Sequence, residues 1–380
     1  MREPEKLLRV GLSTSVCQRG RSGVATYIFG LIDGIVRSAP HVRLTLFGFA
    51  HDKPLFAKWL DRCDWEEVPE YWRPAVRDVF WHQFILPRRL QEARCDLVHI
   101  PSYRRVLARP GRPQVLTIHD CASFRLRGKY DVFRSTYTKR VVVPLARRAK
   151  GLITVSGTTA DDVAQFYGIP HNAIQVIWNG IDHARFNPAA AADAPALDWP
   201  YFLYVARFEH PAKNHVRLIE AFEQMVTEHP HLPHRLVLAG ADWHGAPTIH
   251  ARIAASPART RIVAPGFVKT EALPGWYAGA EAMVYPSLFE GFGLPPVEAM
   301  ACDCPVVCSA RGSLGEVVGD AARLVDPENP TDIAAGLLEM LQPANRALWR
   351  ERGLRRAARF DWLEVAKNTV ATYRRAILSD

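Results

Sequence analysis

Short runs of Val, Leu, Ile and aromatic residues alternate with helical-period segments over most of this chain, most clearly in its second half. YFLYVAR (201–207), RLVLAG (235–240), RIVAPGFV (261–268), EAMVYPS (281–287), CPVVCSA (304–310) and ARLVDP (322–327) read as strands. Between them, KNHVRLIEAFEQMVTEH (213–229) sets Val216, Ile219, Phe222 and Val226 at helical spacing. EALPGWYAGA, PPVEAMAC and TDIAAGLLEML are further helical stretches. Near-continuous apolar strands alternating with helices predict a parallel sheet covered on both faces, because a strand buried on both sides has no polar face. The first half repeats the alternation less clearly. LLRVGLS, HVRLTLFGF, DLVHIP, QVLTIHD and GLITVS read as strands, and VATYIFGLIDGIVRSA, TYTKRVVVPLARRAK and TTADDVAQFYG as helices. Residues 52–93 give no clear pattern. The Ala- and Pro-rich NPAAAADAPALDWP (187–200) breaks the periodicity and is the expected linker between two α/β units. Such sheets bind ligands outside the carboxyl ends of their strands, so the expected site is a cleft lined by strand-end loops.

Composition narrows the class. Hydrophobic residues at 48% and charged residues at 23% of 380 exclude a disordered chain. Seven cysteines without regular spacing exclude a secreted disulfide framework. Cys302, Cys304 and Cys308 cluster but straddle a helix end and a strand, which fits packing better than metal binding. No apolar signal region follows Met1–Val10, and no run of uncharged apolar residues is long enough to span a bilayer. A cytoplasmic protein, soluble or peripheral to a membrane, is therefore expected. The net charge of +9 is uneven, with 29 Lys and Arg against 17 Asp and Glu in residues 1–190 and 19 against 22 in the remainder. A basic first half fits nucleic acid, an anionic membrane surface or an anionic small molecule. The chain lacks G-x-G-x-x-G after its first strand and lacks G-x-x-x-x-G-K-[ST], which disfavours a nicotinamide dehydrogenase or a P-loop enzyme. It also lacks Asp-x-Asp, H-E-x-x-H and C-x-x-C.

Four segments could carry chemistry. In FEGFGLPPVEAMA (289–301), Glu290 follows a strand, Gly291 and Gly293 permit close backbone approach, and Pro295 and Pro296 suit the first turn of a helix that contains Glu298. The amides of Phe292, Gly293 and Leu294 would face out of that helix's N-terminus, a site for phosphate or sugar oxygens. In VARFEHPAKN (205–214), Arg207 ends a strand and Lys213 opens a helix, a fork and a point charge suited to a diphosphate. TIHD (117–120) places His119 and Asp120 at a strand terminus, where they could bind a substrate or move a proton. QRGRSGVATY (18–27) is a Gly-containing loop in which Gly20 and Gly23 could approach an anion.

Together these segments resemble the retaining glycosyltransferase family 4, which has the GT-B architecture. The E-x7-E element is Glu290–Glu298 and the Arg-x5-Lys element is Arg207–Lys213, continuing into Asn214. VSGTTADDV (155–163), VIWNGID (176–182) and FDWLEVAKNTVATYRRAI (360–377) are similar to further family segments in the same order. The resemblance implies two Rossmann-like α/β domains with parallel sheets facing a central cleft. Residues 1–186 would bind acceptor, residues 187–360 would bind the nucleotide sugar, and a helix over 361–380 would return to the first domain. It implies that Arg207 and Lys213 bind the donor diphosphate, Glu298 the ribose and Glu290 the donor sugar. Phe292, Gly293 and Leu294 would support sugar and phosphate through their amides, and His119 would lie near the reaction centre. Gly23 would close over phosphates or acceptor, and Phe267 and Val268 would flank the base. Ala206 and Asp303 depart from the family's usual glycines without removing a charge from the clamp.

The implied activity is metal-independent, retaining transfer of a hexose, first mannose from GDP-mannose, to a saccharide or lipid-linked saccharide in polysaccharide or lipopolysaccharide synthesis. A UDP-sugar-dependent glucose or GlcNAc transferase and a nucleotide-sugar epimerase are the alternatives. No nucleic-acid partner is expected, because the basic half lacks interleaved aromatic residues. Arg134, Lys139, Arg140, Arg147, Arg148 and Lys150 fall in or near one expected helix, with Arg104, Arg105, Arg125, Arg127 and Lys129 in loops, and this face is expected to be either a surface for an anionic membrane or a lipid-diphosphate acceptor, or simply solvated charge.

Overall fold

The computed structural model describes residues 6–20, 22–125 and 136–378. Arg127, Lys129 and Arg134 lie outside the described residues. The chain divides into two units, residues up to Gly180 with those from Asp361 onward, and Ile181–Phe360.

The first unit holds seven strands, β1 (Leu8–Ser13), β2 (Val42–Phe49), β3 (Cys63–Val68), β4 (Leu97–Ile100), β5 (Gln114–Ile118), β6 (Gly151–Thr154) and β7 (Ile174–Val176). They form one sheet in the order β3-β2-β1-β4-β5-β6-β7, and every pairing is parallel. One face packs Val10, Leu12, Ile28 and Ile32 against Val365, Val370 and Tyr373 of the terminal helix Trp362–Leu378. The other face packs Leu90, Val98, Leu116, Val142 and Val163. Each such side chain contributes about 1.5–3 kcal/mol on burial. The terminal helix seats on the helix Gly23–Ser38 because Gly30 has no side chain: a Cβ there would lie 2.0 Å from the Trp362 ring.

The second unit holds β8 (Tyr201–Val205), β9 (Arg235–Ala239), β10 (Ile262–Gly266), β11 (Ala282–Tyr285), β12 (Val306–Ser309) and β13 (Arg323–Val325). Their order, β10-β9-β8-β11-β12-β13, is again all parallel. Both sheets thus follow the doubly wound, Rossmann-like pattern that the resemblance implies.

Several local expectations differ from what is seen. The helix over 213–229 runs His215–Glu228, and its core stripe is Leu218, Ile219, Phe222 and Met225, with Val216 and Val226 only half-buried. Residues 187–200 are not a free linker. Asn187 caps a 3-10 segment, Pro188–Asp193, that packs on the helix Leu273–Ala278, and Gly275 lies against the Asp193 carbonyl. The division falls after Gly180, and Ile181, the first residue of the second unit, donates its amide to the carbonyl of that unit's last residue, Phe360, at 3.1 Å. The basic helix opens into a π turn at Thr138–Val142 before Val143–Ala146, where Pro144 supplies no amide to the ladder. Among the described residues no helix is long and apolar enough to cross a membrane.

Candidate active site

In the second sheet the strand order reverses between β8 and β11. The carboxyl edge at such a switch point is where open α/β sheets take their ligands. The loop after β8 carries Arg207 and Lys213, and the loop after β11 carries Glu290. They are fastened together by the Leu288 amide on the Ala212 carbonyl at 3.0 Å. Asn214 adds a second tie. Its buried side-chain amide donates to the carbonyls of Pro286 (3.0 Å) and Pro327 (2.6 Å), and its left-handed backbone, φ 59°, turns the chain into the helix. Lys213 therefore precedes the helix instead of opening it.

Lys213 and Glu290 form an ion pair, Nζ to Oε1 at 2.6 Å, with both side chains 14% exposed. The Tyr285 hydroxyl donates to the same oxygen at 3.0 Å. Burial pushes the Glu290 carboxyl up, but the Lys213 ammonium and the hydroxyls of Ser287 and Tyr285 outweigh it and hold the group below its ordinary value. Glu290 is thus a fixed anion. The Lys213 ammonium has three donors, so this contact leaves it capacity for a phosphate oxygen. Arg207 lies two residues past β8, with its guanidinium 4.7 Å from the Trp243 ring centroid and 3.6 Å from Glu209 Oε2. At 43% exposure it offers part of its fork to solvent. The pairing of Lys213 with Glu290, and the Trp243 and Glu209 contacts of Arg207, were not expected.

The helix Leu294–Ala301 begins with Pro295 and Pro296 in its first turn. Neither carries an amide hydrogen, so Phe292, Gly293 and Leu294 supply the donors at this positive helix end. Gly293 has φ 95°, and a Cβ there would lie 2.4 Å from Leu314, so only glycine fits. The Phe292 ring is buried edge-on against Phe360 at 5.8 Å, which leaves its backbone as the useful part. Ser313, which the sequence reading missed, fixes this loop: its buried hydroxyl lies 3.0 Å from the carbonyls of both Glu290 and Phe292. Glu298 sits deeper. Burial raises its carboxyl to about 7 despite a hydrogen bond from Tyr277 (3.1 Å) and the charge of Arg185. It is therefore not a solvated surface acid.

His119 and Gly23 belong to the first unit. His119 follows β5; its Nε2 lies 2.9 Å from the Pro101 carbonyl, and its ring meets Tyr27 edge-on at 4.8 Å. A carbonyl only accepts, so Nε2 carries the proton and Nδ1 is the acceptor. Burial lowers the His119 pKa to about 4, which keeps the ring neutral near pH 7. Asp120 Oδ1 accepts from the Ala122 amide at 2.9 Å, and its charge acts on His119 in opposition to burial, without outweighing it. A buried chain runs behind this residue. Tyr373 of the terminal helix bonds His99 Nδ1 (2.7 Å), His99 Nε2 bonds Thr117 (2.8 Å), and Thr117 bonds the Tyr27 hydroxyl (3.1 Å). Gly23 opens its helix in an exposed position where an added Cβ would meet nothing, so packing does not demand glycine. Phe267 and Val268 follow the edge strand β10, and Phe267 is 53% exposed. Arg105 and Arg125 are not spare cations, because they pair with the buried carboxylates of Asp78 and Asp162. All seven cysteines are free and buried. Among the described residues no cluster of His, Cys, Asp and Glu has the make-up of a metal site.

Two family descriptions cover most of the chain: Glycosyltransferase Family 4 over residues 21–185 and Glycosyl transferases group 1 over residues 191–355. The O-antigen chain mannosyltransferase B of Escherichia coli is 30% identical over 310 residues, 78% of this chain and 74% of that one. The chain belongs to glycosyltransferase family 4. A second relative of this family 4 glycosyltransferase, the MMP alpha-(1->4)-mannosyltransferase of Mycolicibacterium hassiacum, is 30% identical over 71% of this chain and 67% of its own. Anabaena HepE, solved with UDP and glucose, shares the fold with a TM-score of 0.76 at 20% identity, covering 97% of this chain and 99% of that one. The sucrose-phosphate synthase of Thermosynechococcus elongatus does so with a TM-score of 0.78 at 19% identity, over 98% of this chain and all of its own. The architecture is GT-B.

Proposed function

We propose that this family 4 glycosyltransferase moves a hexose, first mannose from GDP-mannose, to a saccharide or lipid-linked saccharide acceptor with retention of configuration. The observation that carries this reading is the Lys213–Glu290 pair at the switch point of the second sheet, with Arg207 on the same loop as Lys213 and Glu290 a few residues before the Gly293 helix end. Cleavage of the sugar–phosphate bond leaves its electron pair on the diphosphate. Two cations and a helix dipole fixed beforehand stabilise that charge, with no need of a divalent ion. The acceptor hydroxyl attacks from the face the diphosphate leaves, its oxygen bonds the sugar, and its proton passes to the departing phosphate. No covalent nucleophile on the protein is invoked. Glu298 takes the ribose hydroxyls, Glu290 a sugar hydroxyl, and the neutral Nδ1 of His119 accepts from another. Phe267 and Val268 are assigned to the base and Gly23 to phosphate or acceptor. The mannosyl preference is drawn from the two mannosyltransferase relatives.

A melting-temperature screen with GDP-mannose, UDP-glucose, UDP-GlcNAc and ADP-glucose tests the donor. Stabilisation by GDP-mannose above the others is expected, and EDTA leaves it unchanged. Stabilisation by a UDP-sugar alone replaces the donor assignment. Complete conversion of the donor without acceptor identifies an epimerase instead.

A further inference from the structure

The helix Ala75–Phe84 in the first unit carries Val76, Phe80 and Phe84 on one stripe, 66%, 54% and 72% exposed. The rings of Phe80 and Phe84 stack at 5.9 Å. The opposite face of the helix is locked inward by polar contacts. Asp78 pairs with Arg105 at 2.5 Å and accepts from Ser15 at 3.2 Å, and His82 bonds Ser13 at 2.8 Å. Rotating the helix to hide the phenyl rings would tear these buried bonds, so the apolar stripe is held outward by construction. An apolar stripe of this kind on a polar protein marks a contact surface.

Its charge surroundings identify the contact. Asp78 is the only acid on the helix and is buried. The turn Tyr103–Arg105 joins this helix to the basic one: Arg105 holds Asp78, and the Tyr137 hydroxyl bonds the Arg104 carbonyl at 3.4 Å. Residues 136–150 contain no acid, and Lys139 and Arg140 are exposed there, as is Arg77 on the apolar helix. Exposed aromatic rings, with Arg77 on the same helix and further exposed cations on the basic helix joined to it, match the acyl boundary and phosphates of an anionic bilayer.

We propose that the Val76–Phe80–Phe84 stripe inserts into an anionic membrane while Arg77, Lys139 and Arg140 meet its headgroups. The surface is argued from the first unit alone, so failure of the donor assignment leaves it standing, and the reverse. The test is flotation of the full chain with vesicles of phosphatidylcholine, alone or mixed equally with phosphatidylglycerol. Binding only to the mixed vesicles is expected. Phe80→Ser/Phe84→Ser should weaken it about tenfold or more. Lys139→Glu/Arg140→Glu should weaken it as well, and both variants should keep the wild-type melting temperature. Absence of binding to the mixed vesicles, or undiminished binding by the phenylalanine variant, overturns the proposal. So does a lipid-free dimer that Phe80→Ser/Phe84→Ser converts to monomer, since the stripe would then join two copies.

Discussion

Lys213→Met is expected to lower turnover about a thousandfold, the loss typical of removing one fixed group that faces charge developing in a transition state. The same variant strands the Glu290 carboxylate, which is 14% exposed and held ionised mainly by Lys213. Removing one partner of a buried pair costs about 3–5 kcal/mol, so a clear fall in melting temperature is expected too. The two effects separate in the double variant. Lys213→Met/Glu290→Gln leaves neither charge unpaired and should recover most of the lost stability. It should recover none of the turnover, because the cation that steadies the diphosphate is still missing. Steady-state kinetics and thermal melts on the two single variants and the double variant give the answer. A double variant that regains activity along with stability would make the pair purely structural.

Donor affinity is expected to rise about tenfold per pH unit below pH 7 and to level off above it, as Glu298 ionises. Burial raises this carboxyl from its ordinary 4.5 to about 7, and ribose hydroxyls donate more strongly to the ionised form, whose oxygens both accept with a full charge behind them. The phosphates of a nucleotide sugar hold no proton in that range, so the slope reports the protein. The sign for stability is opposite. A carboxyl whose folded pKa lies above its unfolded one contributes stability fully present below 4.5 and lost as pH rises through about 7. The ligand-free protein should thus melt lower at pH 8 than Glu298→Gln does. The variant should bind donor about tenfold more weakly at that pH, with its pH slope gone. Calorimetric titration with donor across this window checks both, and a flat wild-type profile would remove Glu298 from the ribose site.

The strands at the centre of the second sheet were legible because β8, β11 and β12 are buried on both faces and read as unbroken apolar runs. β3, Cys-Asp-Trp-Glu-Glu-Val, was not, because an edge strand can expose its acids. The helix Ala75–Phe84 was hidden for a related reason: its apolar stripe faces outward and its buried face is Asp78, Trp81 and His82, which inverts the pattern a periodicity reading looks for. Arg207, Lys213 and Glu290 stand out in the sequence because strand ends and glycines mark their loops, and Glu298 because it follows two prolines that open its helix. Their partners could not. Lys213 and Glu290 are 77 residues apart, and Ser313 reaches the Glu290 carbonyl across 23. Tyr373 reaches His99 across 274 residues, a contact that exists only once the terminal helix has docked. Period and motif carry local information, whereas these contacts are set by the sheet order.

The central claim is that the leaving diphosphate rests on Arg207 and Lys213 at the carboxyl edge of β8. A crystal structure of the protein with GDP or UDP tests it most directly. Phosphate oxygens within hydrogen-bonding distance of both side chains, with the base toward Phe267 and the ribose on Glu298, are the expected result. A nucleotide bound elsewhere, or a divalent ion bridging its phosphates while Lys213 stays closed on Glu290, would contradict it.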